Sequence, residues 1–559
     1  MSVGVLSSTL SPALKKQIAT DLHLEAKDKY RFVPKNDKKQ FYTADTEATK
    51  SLNMFSVHSN VVDTSNKNKN NNGNTNDIIY LPFAYVCEKF NLTKPNDSLI
   101  KRKYDKFVMK PGFTLREYQK EAVRYAFEDF EKLGTAFYNV FCSYGKTVVG
   151  TFISYVFSQK MAVSCLILVP QESIVSSWYE TFAELTTASI YIVGSKAKYN
   201  NESVIICPCH QVDKMSKDMI CNVGFLVIDE ADCYCTAGHV QTLLATQPYR
   251  ILALTATYER DDCMESMIDL IVGPSRIVKI SSKPFFVLKI STPYTVTDVA
   301  KTTRGISYID LMHKICSLPE RLNIILQLVL NNCNEKILIL VLHVEFVELI
   351  HGALEYLFKE QKKNKTVSKY YGKMDGYYDA DVLVGTYKKL GRGFDQKGKC
   401  KPIICPLTGH SQGWDGRRFN LLILGASTLK VEQLAGRAFR SAIPCIVEII
   451  DDHDNVRKQW AVRYKWFLSR NGIVMDIKTM FKWSELFLTP EYQTKYRLAQ
   501  TRESNDTIVP TRITKTSCIP SVLELLEKQS KSRWSKEQDP GIDPDDELAF
   551  LEADTSDYN

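Results

Sequence analysis

Long hydrophobic runs are scarce in this chain of 559 residues. The longest apolar stretch, near Ile337–Leu342, is far shorter than the roughly 20 residues that a membrane-spanning helix needs. Residues 1–15 contain no basic segment followed by a sustained apolar core, so we predict no secretory signal. We therefore expect an intracellular protein that is neither secreted nor a partner of membranes.

Cysteines at the usual zinc-site spacing are also missing. Two clusters invite a metal hypothesis, but neither contains a C-x-x-C pair: Cys207-Pro208-Cys209-His210 and Cys233-Tyr234-Cys235. Without a secretory signal, the 15 cysteines are not expected to form disulfides either. We interpret the cysteines of the two clusters as buried free thiols.

The net charge is small but unevenly distributed. The chain has 72 Lys and Arg against 64 Asp and Glu, a formal charge of +8. Nine acidic residues and no basic residue lie in 537–559, which leaves 72 basic against 55 acidic residues, or +17, in residues 1–536. A basic body of this kind is compatible with binding to nucleic acid but does not establish it.

Two segments near the N-terminus differ in composition from the rest. Residues 64–77, TSNKNKNNNGNTND, have no apolar side chain to bury, and we predict a flexible surface insertion there. A basic patch follows at Lys101, Arg102, Lys103, Lys106 and Lys110. This patch could line a path for nucleic acid or form a solvated face, and the sequence leaves both open.

From Phe113 onward, short apolar runs alternate with longer segments of helical spacing. Continuous apolar strands of this kind are typical of parallel sheets covered by helices on both faces. The predicted strands of a first unit are Ala136–Phe141, Cys165–Val169, Val204–Cys207, Phe225–Ile228 and Ile251–Leu254. Those of a second unit are Ile337–Leu342, Val382–Val384, Leu421–Leu424 and Ile446–Ile450. The pattern predicts two tandem α/β units, joined near Pro274–Asp298.

A predicted strand, a tight turn and a predicted helix surround a Gly-Lys-Thr motif in the first unit. There, helix-start N–H groups would face a phosphate, Lys146 would reach the β- and γ-phosphates, and the Thr147 hydroxyl would bind Mg²⁺. The G-x-x-x-x-G-K-T pattern is incomplete, because Val140 replaces its first glycine. The motif nevertheless predicts an ATP site formed by Ser143, Gly145, Lys146 and Thr147.

An acidic motif, Asp229-Glu230-Ala231-Asp232, closes a later strand. Carboxylates at the C-terminal end of a parallel strand face the crevice where such sheets bind ligands. Asp229 is predicted to hold Mg²⁺, and Glu230 to orient and deprotonate the attacking water. The alternative, in which Asp229 caps the next helix, leaves unexplained the Gly-Lys-Thr motif that precedes it.

These motifs, in this order, resemble those of superfamily 2 DExD/H helicases. Further motifs of the family in the first unit are Phe113-Thr114-Leu115-Arg116-Glu117-Tyr118-Gln119, Leu168-Val169-Pro170 followed by Trp178, Cys207-Pro208-Cys209-His210-Gln211 and Thr255-Ala256-Thr257. Those in the second unit are Val384-Gly385-Thr386, Gly391-Arg392-Gly393-Phe394-Asp395 and Gln433-Leu434-Ala435-Gly436-Arg437-Ala438-Phe439-Arg440.

The resemblance implies a role for each matching residue, with ATP and Mg²⁺ as cofactors. The implied catalytic residues are Lys146, Asp229, Glu230, Gln433, Arg437 and Arg440, the two arginines acting as arginine fingers. The nucleotide-binding residues that it adds to the phosphate loop are Gln119, at the adenine, and Asp395. Nucleic acid is expected to contact Pro170, Gln171 and Thr386. Coupling between the two sites is expected from Thr255 and Thr257.

The resemblance also implies a domain organisation. We expect two tandem RecA-like domains with parallel sheets, an N-terminal extension and a largely disordered acidic C-terminal tail. The expected boundaries are an accessory region at 1–110, RecA-like domain 1 at 111–280, a connector at 281–300, RecA-like domain 2 at 301–475, a C-terminal extension at 476–536 and the tail at 537–559.

Within the superfamily, the motifs are most similar to the poxvirus-type transcript-release DNA helicase and the related repair and transcription helicases. Three segments carry this similarity: Gly224–Tyr234, Gly425–Thr428 and Val431–Arg437. It implies an ATP-dependent helicase or translocase on DNA, or less directly RNA, in viral transcription, located in host cytoplasm, virion or nucleus. A repair or remodelling translocase that leaves strands paired, and a non-hydrolysing nucleic-acid-binding scaffold, remain alternatives.

Two segments depart from the family pattern. Residues 397–420 are longer and more basic than a simple connection requires, and their Trp414, Arg417 and Arg418 could contact DNA or cover the sheet. Residues 545–552, DDELAFLE, mix acidic and apolar side chains. They could recruit the transcription machinery, fold back on the basic DNA path as a brake, or simply aid solubility.

Overall fold

The computed structural model describes most of the chain. The described residues are 1–25, 51–58, 77–141, 143–258, 260, 264–279, 281, 283–302, 305–391, 394, 396–404, 411–428, 431–438, 440–505 and 511–513. The predicted tail at 537–559, and all but residue 77 of the predicted insertion at 64–77, lie outside them. Within the described part, no helix is both long enough and apolar enough to cross a membrane.

An N-terminal region packs against the first large sheet. Its elements are β1 (Ser2–Leu6), α1 (Pro12–Asp21), β2 (His23–Glu25), β3 (Ser51–Asn53), β4 (Ser56–His58), β5 (Ile78–Pro82) and α2 (Phe83–Lys89). β5 lies between β1 and β4 and is antiparallel to both. Leu22, Leu81 and Phe83 join one hydrophobic core with Leu226 and Ile251 of the sheet. The accessory region is therefore continuous with the first domain.

The first large sheet contains seven parallel strands in the order β12-β6-β11-β10-β7-β9-β8. The elements of this domain are α3 (Glu117–Lys132), β6 (Thr135–Val140), α4 (Lys146–Met161), β7 (Ser164–Val169), α5 (Glu172–Leu185), β8 (Ile190–Ile192), β9 (Val204–Pro208), α6 (Lys217–Asn222), β10 (Val223–Asp229), α7 (Val240–Leu244), β11 (Arg250–Thr255), α8 (Ser266–Val272) and β12 (Arg276–Lys279). All five strands that we predicted for the first unit are present.

The second large sheet contains seven parallel strands in the order β17-β19-β16-β23-β24-β13-β25. The elements from here to the last described residue are β13 (Phe285–Ser291), β14 (Lys301–Thr302), β15 (Gly305–Ile306), α9 (Tyr308–Cys316), α10 (Pro319–Asn331), β16 (Ile337–Val341), α11 (Val344–Glu360), β17 (Val367–Tyr370), β18 (Tyr377–Tyr378), β19 (Val382–Thr386), α12 (Tyr387–Leu390), β20 (Cys400–Lys401), β21 (Ile403–Ile404), β22 (Ser411–Gln412), β23 (Leu421–Leu424), α13 (Val431–Ala438), β24 (Cys445–Ile450), α14 (Asp454–Ser469), β25 (Gly472–Asp476), α15 (Trp483–Leu486), α16 (Pro490–Asn505) and β26 (Thr511–Ile513).

Both sheets are covered by hydrophobic side chains on their two faces. In β10, Phe225 and Val227 belong to one core cluster, and Leu226 and Ile228 belong to another. Residues 337–341 of β16 alternate between two clusters in the same way. This burial explains the continuous apolar runs, since neither face of the strand is left to solvent. The predicted fold class, two tandem RecA-like α/β domains, is confirmed.

The boundaries near the connector differ from the prediction. Residues 285–291, which we placed in a connector, form β13, an interior strand between β24 and β25. Phe286 and Leu288 enter one core of the second domain, whereas Phe285 and Val287 enter the other. The apolar run alone could not distinguish this strand from a linker, because its partner strands lie about 160 and 190 residues later.

The described part of the predicted C-terminal extension at 476–536 packs against the second domain and reaches the first. The Tyr492 and Tyr496 rings of α16 stack against Phe286, with centroids 5.5 and 5.7 Å away. The chain then returns to the first domain, where β26 pairs antiparallel with β12 at the edge of the sheet. The segment after the second sheet therefore contacts both domains.

Candidate active site

The loop between β6 and α4 has the backbone shape of a phosphate cradle. Gly145 and Ser143 both lie in the left-handed region, with φ of +90° and +77°. A Cβ at Gly145 would lie 2.6 Å from Nε2 of Gln119, so the loop at this position accepts only glycine. α4 begins at Lys146, and the N–H groups of its first turn have no partner within the helix. They are therefore available to an anion.

Gln119 is buried beneath this loop. Its Nε2 donates to the Tyr144 carbonyl at 2.9 Å, and its Oε1 accepts from the Arg116 N–H at 3.0 Å. The Tyr144 hydroxyl donates to the Tyr118 carbonyl at 2.8 Å. The bonds of Gln119 and Tyr118 to Tyr144 attach the first turn of α3 to the phosphate loop. Contact between Gln119 and the adenine stays a prediction, since both ends of its amide already have protein partners.

Three charged side chains converge beside the loop. The Lys146 Nζ lies 3.8 Å from Oε1 of Glu230, and both side chains are largely buried. The other Glu230 oxygen, Oε2, is buried and has no hydrogen-bond partner among the described residues. Asp229, which precedes Glu230, ends β10 and is buried.

The surroundings of the Asp229 carboxyl disfavour its ionised form. Burial, followed by the neighbouring Glu230 carboxylate, raises its pKa to about 7, although a Trp178 hydrogen bond and the Lys146 charge act in the opposite direction. The carboxyl groups of Asp229 and Glu230 and the hydroxyl of Thr147, in the first turn of α4, are hard oxygen ligands. Together with the buried Glu230 oxygen that lacks a partner, they fit Mg²⁺, whose charge would relieve the repulsion.

The Asp-Glu-Ala-Asp motif also contacts the segment after β11. Oδ1 of Asp232 accepts from the Thr255 hydroxyl at 2.8 Å, and Oδ2 accepts from the Thr257 hydroxyl at 3.1 Å. The Arg260 guanidinium donates to the Asp232 carbonyl at 2.7 Å. The predicted coupling residues therefore share one carboxylate, three positions after Asp229.

The predicted nucleic-acid contacts lie at the C-terminal ends of strands. In the first domain, Pro170 and Gln171 follow β7, and Cys209 Sγ lies 3.2 Å from the Pro170 carbonyl. The next loop also approaches, because Gln211 Nε2 donates to Glu172 at 2.9 Å. In the second domain, Thr386 ends β19 and its hydroxyl accepts from the N–H of Lys389.

The cysteines of the two clusters are free thiols. Cys207, Cys209 and Cys235 are buried, whereas Cys233 is half-buried. Burial raises the pKa of Cys207 to about 12, so this thiol stays protonated at neutral pH.

The second domain brings one arginine to the phosphate loop. Nε of Arg440 lies 3.4 Å from Oγ of Ser143, across the cleft between the domains. Gln433 and Arg437 lie in α13, but their side chains are not among those described, and Asp395 lies outside the described residues. Of the predicted catalytic groups, Lys146, Asp229, Glu230 and Arg440 therefore surround one loop and one strand end.

Two contacts at the site could not be found from the motifs. The Trp178 indole N–H donates to Oδ2 of Asp229 at 2.7 Å. The Lys399 Nζ, from the second domain, donates to the Ser176 hydroxyl at 3.0 Å. Both contacts converge on α5, and the only sequence signal was a tryptophan that follows the Leu168-Val169-Pro170 motif.

The basic patch at 101–110 has a structural role that neither open interpretation anticipated. Three of its lysines donate to carbonyls in the last turns of helices: Lys101 to Cys221 of α6 at 2.8 Å, Lys103 to Met161 of α4 at 3.0 Å, and Lys110 to Ala183 of α5 at 2.6 Å. Ammonium groups at these positions satisfy terminal carbonyls and complement the helix dipoles.

One part of the basic insertion at 397–420, around Asp415, lies at the amino-terminal end of the second sheet. The buried Lys336 Nζ contacts Asp379 at 2.8 Å and Asp415 at 3.0 Å, which attaches the insertion next to the start of β16. The Arg418 guanidinium lies 4.3 Å from the Trp414 ring centroid. These contacts support a covering role for this part of the insertion and leave its contact with DNA a prediction.

One family model and two viral proteins are similar to the chain in sequence. Residues 112–260 match the family model described as "Type III restriction enzyme, res subunit". Putative helicase 161L of Invertebrate iridescent virus 6 is 23% identical over 429 residues, which cover 72% of this chain and 90% of that protein. Putative helicase 109L of Invertebrate iridescent virus 3 is 24% identical over 190 residues, 32% of this chain and 56% of that protein.

Two solved structures match the chain at low sequence identity. T4 UvsW is 14% identical with a TM-score of 0.31, covering 84% of this chain and 96% of that one. Saccharomyces cerevisiae Dbp5 bound to RNA and ADP BeF3 is 11% identical with a TM-score of 0.42, covering 69% and 93%. The match at 112–260, the viral relatives and the motif order along two parallel sheets show that the chain is similar to helicases, and they support a nucleic-acid-dependent ATPase.

Proposed function

We propose that this helicase is an ATP-driven motor on DNA that acts in viral transcription. The observation that carries the proposal is the approach of Arg440 to Ser143. It places a cation of the second domain beside the phosphate loop of the first, where Lys146 and Glu230 already converge. Hydrolysis at such a site requires both domains, and this requirement allows ATP turnover to move one domain relative to the other.

Each catalytic group has a distinct task in this proposal. The α4 N–H groups and Lys146 bind the phosphates, and Glu230 orients the attacking water with its buried, unsatisfied oxygen. Arg440 compensates the charge that develops on the transferred phosphoryl group. Mg²⁺, held by Thr147 and Asp229, would neutralise charge on the β- and γ-phosphates.

Nucleic acid would lie across both domains. Pro170 and Gln171 contact it from the first domain, and Thr386 contacts it from the second. Asp232 connects the nucleotide side to Thr255 and Thr257, so a shift at the phosphates changes the segment after β11. Contacts of this kind are made to phosphates more than to bases, and binding should weaken steeply with salt.

The proposals for the type of nucleic acid, the partner and the cellular location rest on the viral relatives and on charge. Both viral relatives are named as putative helicases of invertebrate iridescent viruses, which supports a viral motor. We propose DNA as the track, the transcription machinery as a partner of residues 537–559, and host cytoplasm, virion or nucleus as the location. A duplex translocase that leaves the strands paired is the second candidate, since the site geometry is the same for both.

ATP hydrolysis by the full chain tests this proposal. The rate is measured with single-stranded DNA, duplex DNA, RNA or no nucleic acid, and a strand-displacement assay separates the helicase from the duplex translocase. Lys146→Ala and Glu230→Gln should each lower the DNA-stimulated rate by about 10²-fold or more, because each removes a group that acts on the transferred phosphoryl or the water.

Glu184→Gln, an exposed change on α5, is the matched control and should hydrolyse ATP like the wild type. Wild-type hydrolysis that nucleic acid does not raise above the level of the two variants would overturn the motor and favour the scaffold. Stimulation by RNA alone would overturn DNA as the track.

A further inference from the structure

The carboxylate that ends β10 is held on both of its oxygens. Oδ1 of Asp229 accepts the N–H of Glu230 at 3.1 Å, and Oδ2 accepts the indole N–H of Trp178 at 2.7 Å. Trp178 is fully buried in α5. Its indole has one donor and no acceptor, so it binds the carboxylate without competing for a cation.

The space around this indole fits it closely. A Cβ on Gly150 of α4 would lie 2.6 Å from Cη2 of Trp178. The ring of Phe182, one turn further along α5, has its centroid 6.1 Å from that of Trp178. The ring is therefore confined between two helices, and the direction of its N–H is set by where α5 lies.

α5 also contacts two other parts of the motor. It begins at Glu172, directly after Pro170 and Gln171, which we propose as nucleic-acid contacts. Ser176, half a turn before Trp178, accepts the Lys399 ammonium of the second domain. One helix thus touches the nucleic-acid loop, the other domain and the carboxylate proposed to hold Mg²⁺.

We propose that Trp178 is a positioning residue for Asp229, and that α5 makes Mg²⁺ binding at this carboxylate depend on nucleic acid at residues 170–171. The inference rests on the proposed function. A partner that orients a metal ligand typically changes metal affinity or activity 10–100-fold when it is removed. A shift of α5 on binding nucleic acid moves the indole, and with it the Asp229 carboxylate.

Trp178→Phe tests the positioning role, because it removes the donor and keeps an aromatic ring in the pocket. ADP affinity of the full chain is measured by calorimetry with and without Mg²⁺. We expect the Mg²⁺-dependent gain in affinity to fall about 10-fold or more, while the Mg²⁺-free affinity stays unchanged. Tyr179→Phe, on the exposed side of the same helix, is the matched control and should bind as the wild type does.

The coupling is tested by adding single-stranded DNA to the same titrations. DNA should raise the Mg²⁺-dependent ADP affinity of the wild type, and Mg²⁺–ADP should raise DNA affinity by the same factor. In Trp178→Phe this factor should approach one. An equal factor in both proteins, or an equal Mg²⁺-dependent gain, overturns the inference.

A second variant covers the case in which Trp178→Phe does not fold. Ser176→Ala removes the contact with Lys399 and keeps the indole in place. It should change the factor by which DNA raises the Mg²⁺-dependent ADP affinity, and it should leave the Mg²⁺-dependent gain without DNA unchanged. If Ser176→Ala leaves the effect of DNA on ADP affinity equal to that of the wild type, the coupling through α5 is overturned. Wild-type protein that shows no Mg²⁺-dependent ADP binding would instead contradict the proposed function itself.

Discussion

Asp229 and Glu230 are adjacent carboxyl groups with different surroundings. Both oxygens of Asp229 accept hydrogen bonds, whereas one buried oxygen of Glu230 has no partner among the described residues. Burying two acids side by side costs free energy, and the raised pKa of Asp229 expresses this cost. A stable fold alone does not require such a pair, which is consistent with a metal and water site.

At the same scale, Gly150 sets the room available to Trp178. Gly150→Ala should lower the free energy of unfolding of the first domain by about 1–3 kcal/mol, because the added methyl group overlaps the indole. Urea denaturation followed by tryptophan fluorescence measures the change. Mg²⁺-dependent ADP affinity should fall with it, since the indole is displaced from Asp229.

Gly352→Ala is the matched control. This glycine is exposed in α11, and a Cβ there would have no atom within 4 Å. The change should stabilise the second domain by about 0.5–1 kcal/mol, because alanine loses less backbone entropy in a helix. If both glycine variants were stabilised, the packing around Trp178 would be looser than the structure indicates.

At the scale of elements, residues 101–110, before α3, connect the C-terminal ends of three helices. Lys101, Lys103 and Lys110 are spread over ten residues, yet they reach the last turns of α6, α4 and α5. Their charges therefore stabilise the C-terminal ends of helices in the first domain. This use explains a basic patch without assigning it to nucleic acid.

Lysine removal distinguishes the two uses. Lys103→Ala and Lys110→Ala should each lower the free energy of unfolding by about 0.5–1 kcal/mol at low salt, because a helix end loses its cation. Thermal unfolding measures this, and the loss should shrink as salt is added. DNA affinity should stay close to that of the wild type.

Lys106→Ala, an exposed change in the same segment, provides the comparison and should leave stability unchanged. A drop in DNA affinity for Lys103→Ala and Lys110→Ala without a loss of stability would contradict the capping role. That outcome would place the patch on the nucleic-acid path.

At the scale of the whole molecule, two of the side-chain contacts in the described part of the chain bridge the cleft at different places. Arg440 approaches Ser143 at the phosphate loop, and Lys399 donates to Ser176 on α5. The backbone adds a third connection, since β26 returns to the edge of the first sheet after the second domain is complete. The described conformation is therefore one in which the domains are joined around the nucleotide site.

Loss of one bridge should open the cleft. Lys399→Ala should shift the closed-to-open ratio about 1.4–5-fold toward the open form in nucleotide-free protein, because one partly exposed contact is worth roughly 0.2–1 kcal/mol. Fluorescence energy transfer between dyes on the two domains measures the ratio. Lys397→Ala, exposed and two residues earlier, should leave it unchanged. Equal energy transfer in all three proteins would show that this bridge does not hold the cleft.

The sequence by itself determined the class of the protein and most of its strands. Strands such as β10 and β16 are short, continuous apolar runs because both faces are buried, and that signal is local. The loop at 143–147 and the carboxylates after β10 are equally local, since a motif specifies its own turn and strand end. Their catalytic roles remain predictions.

Only the tertiary structure decided which distant residues meet. The bonds from Trp178 to Asp229, Lys399 to Ser176 and Arg440 to Ser143 join positions 51, 223 and 297 residues apart. β13 and β26 likewise become strands only through partners far along the chain. A pairing of this kind depends on how helices and sheets pack, which no local pattern contains. The sequence therefore predicted a helicase-like motor, whereas packing placed α5 in contact with the second domain and with Asp229, next to the predicted nucleic-acid loop at Pro170 and Gln171.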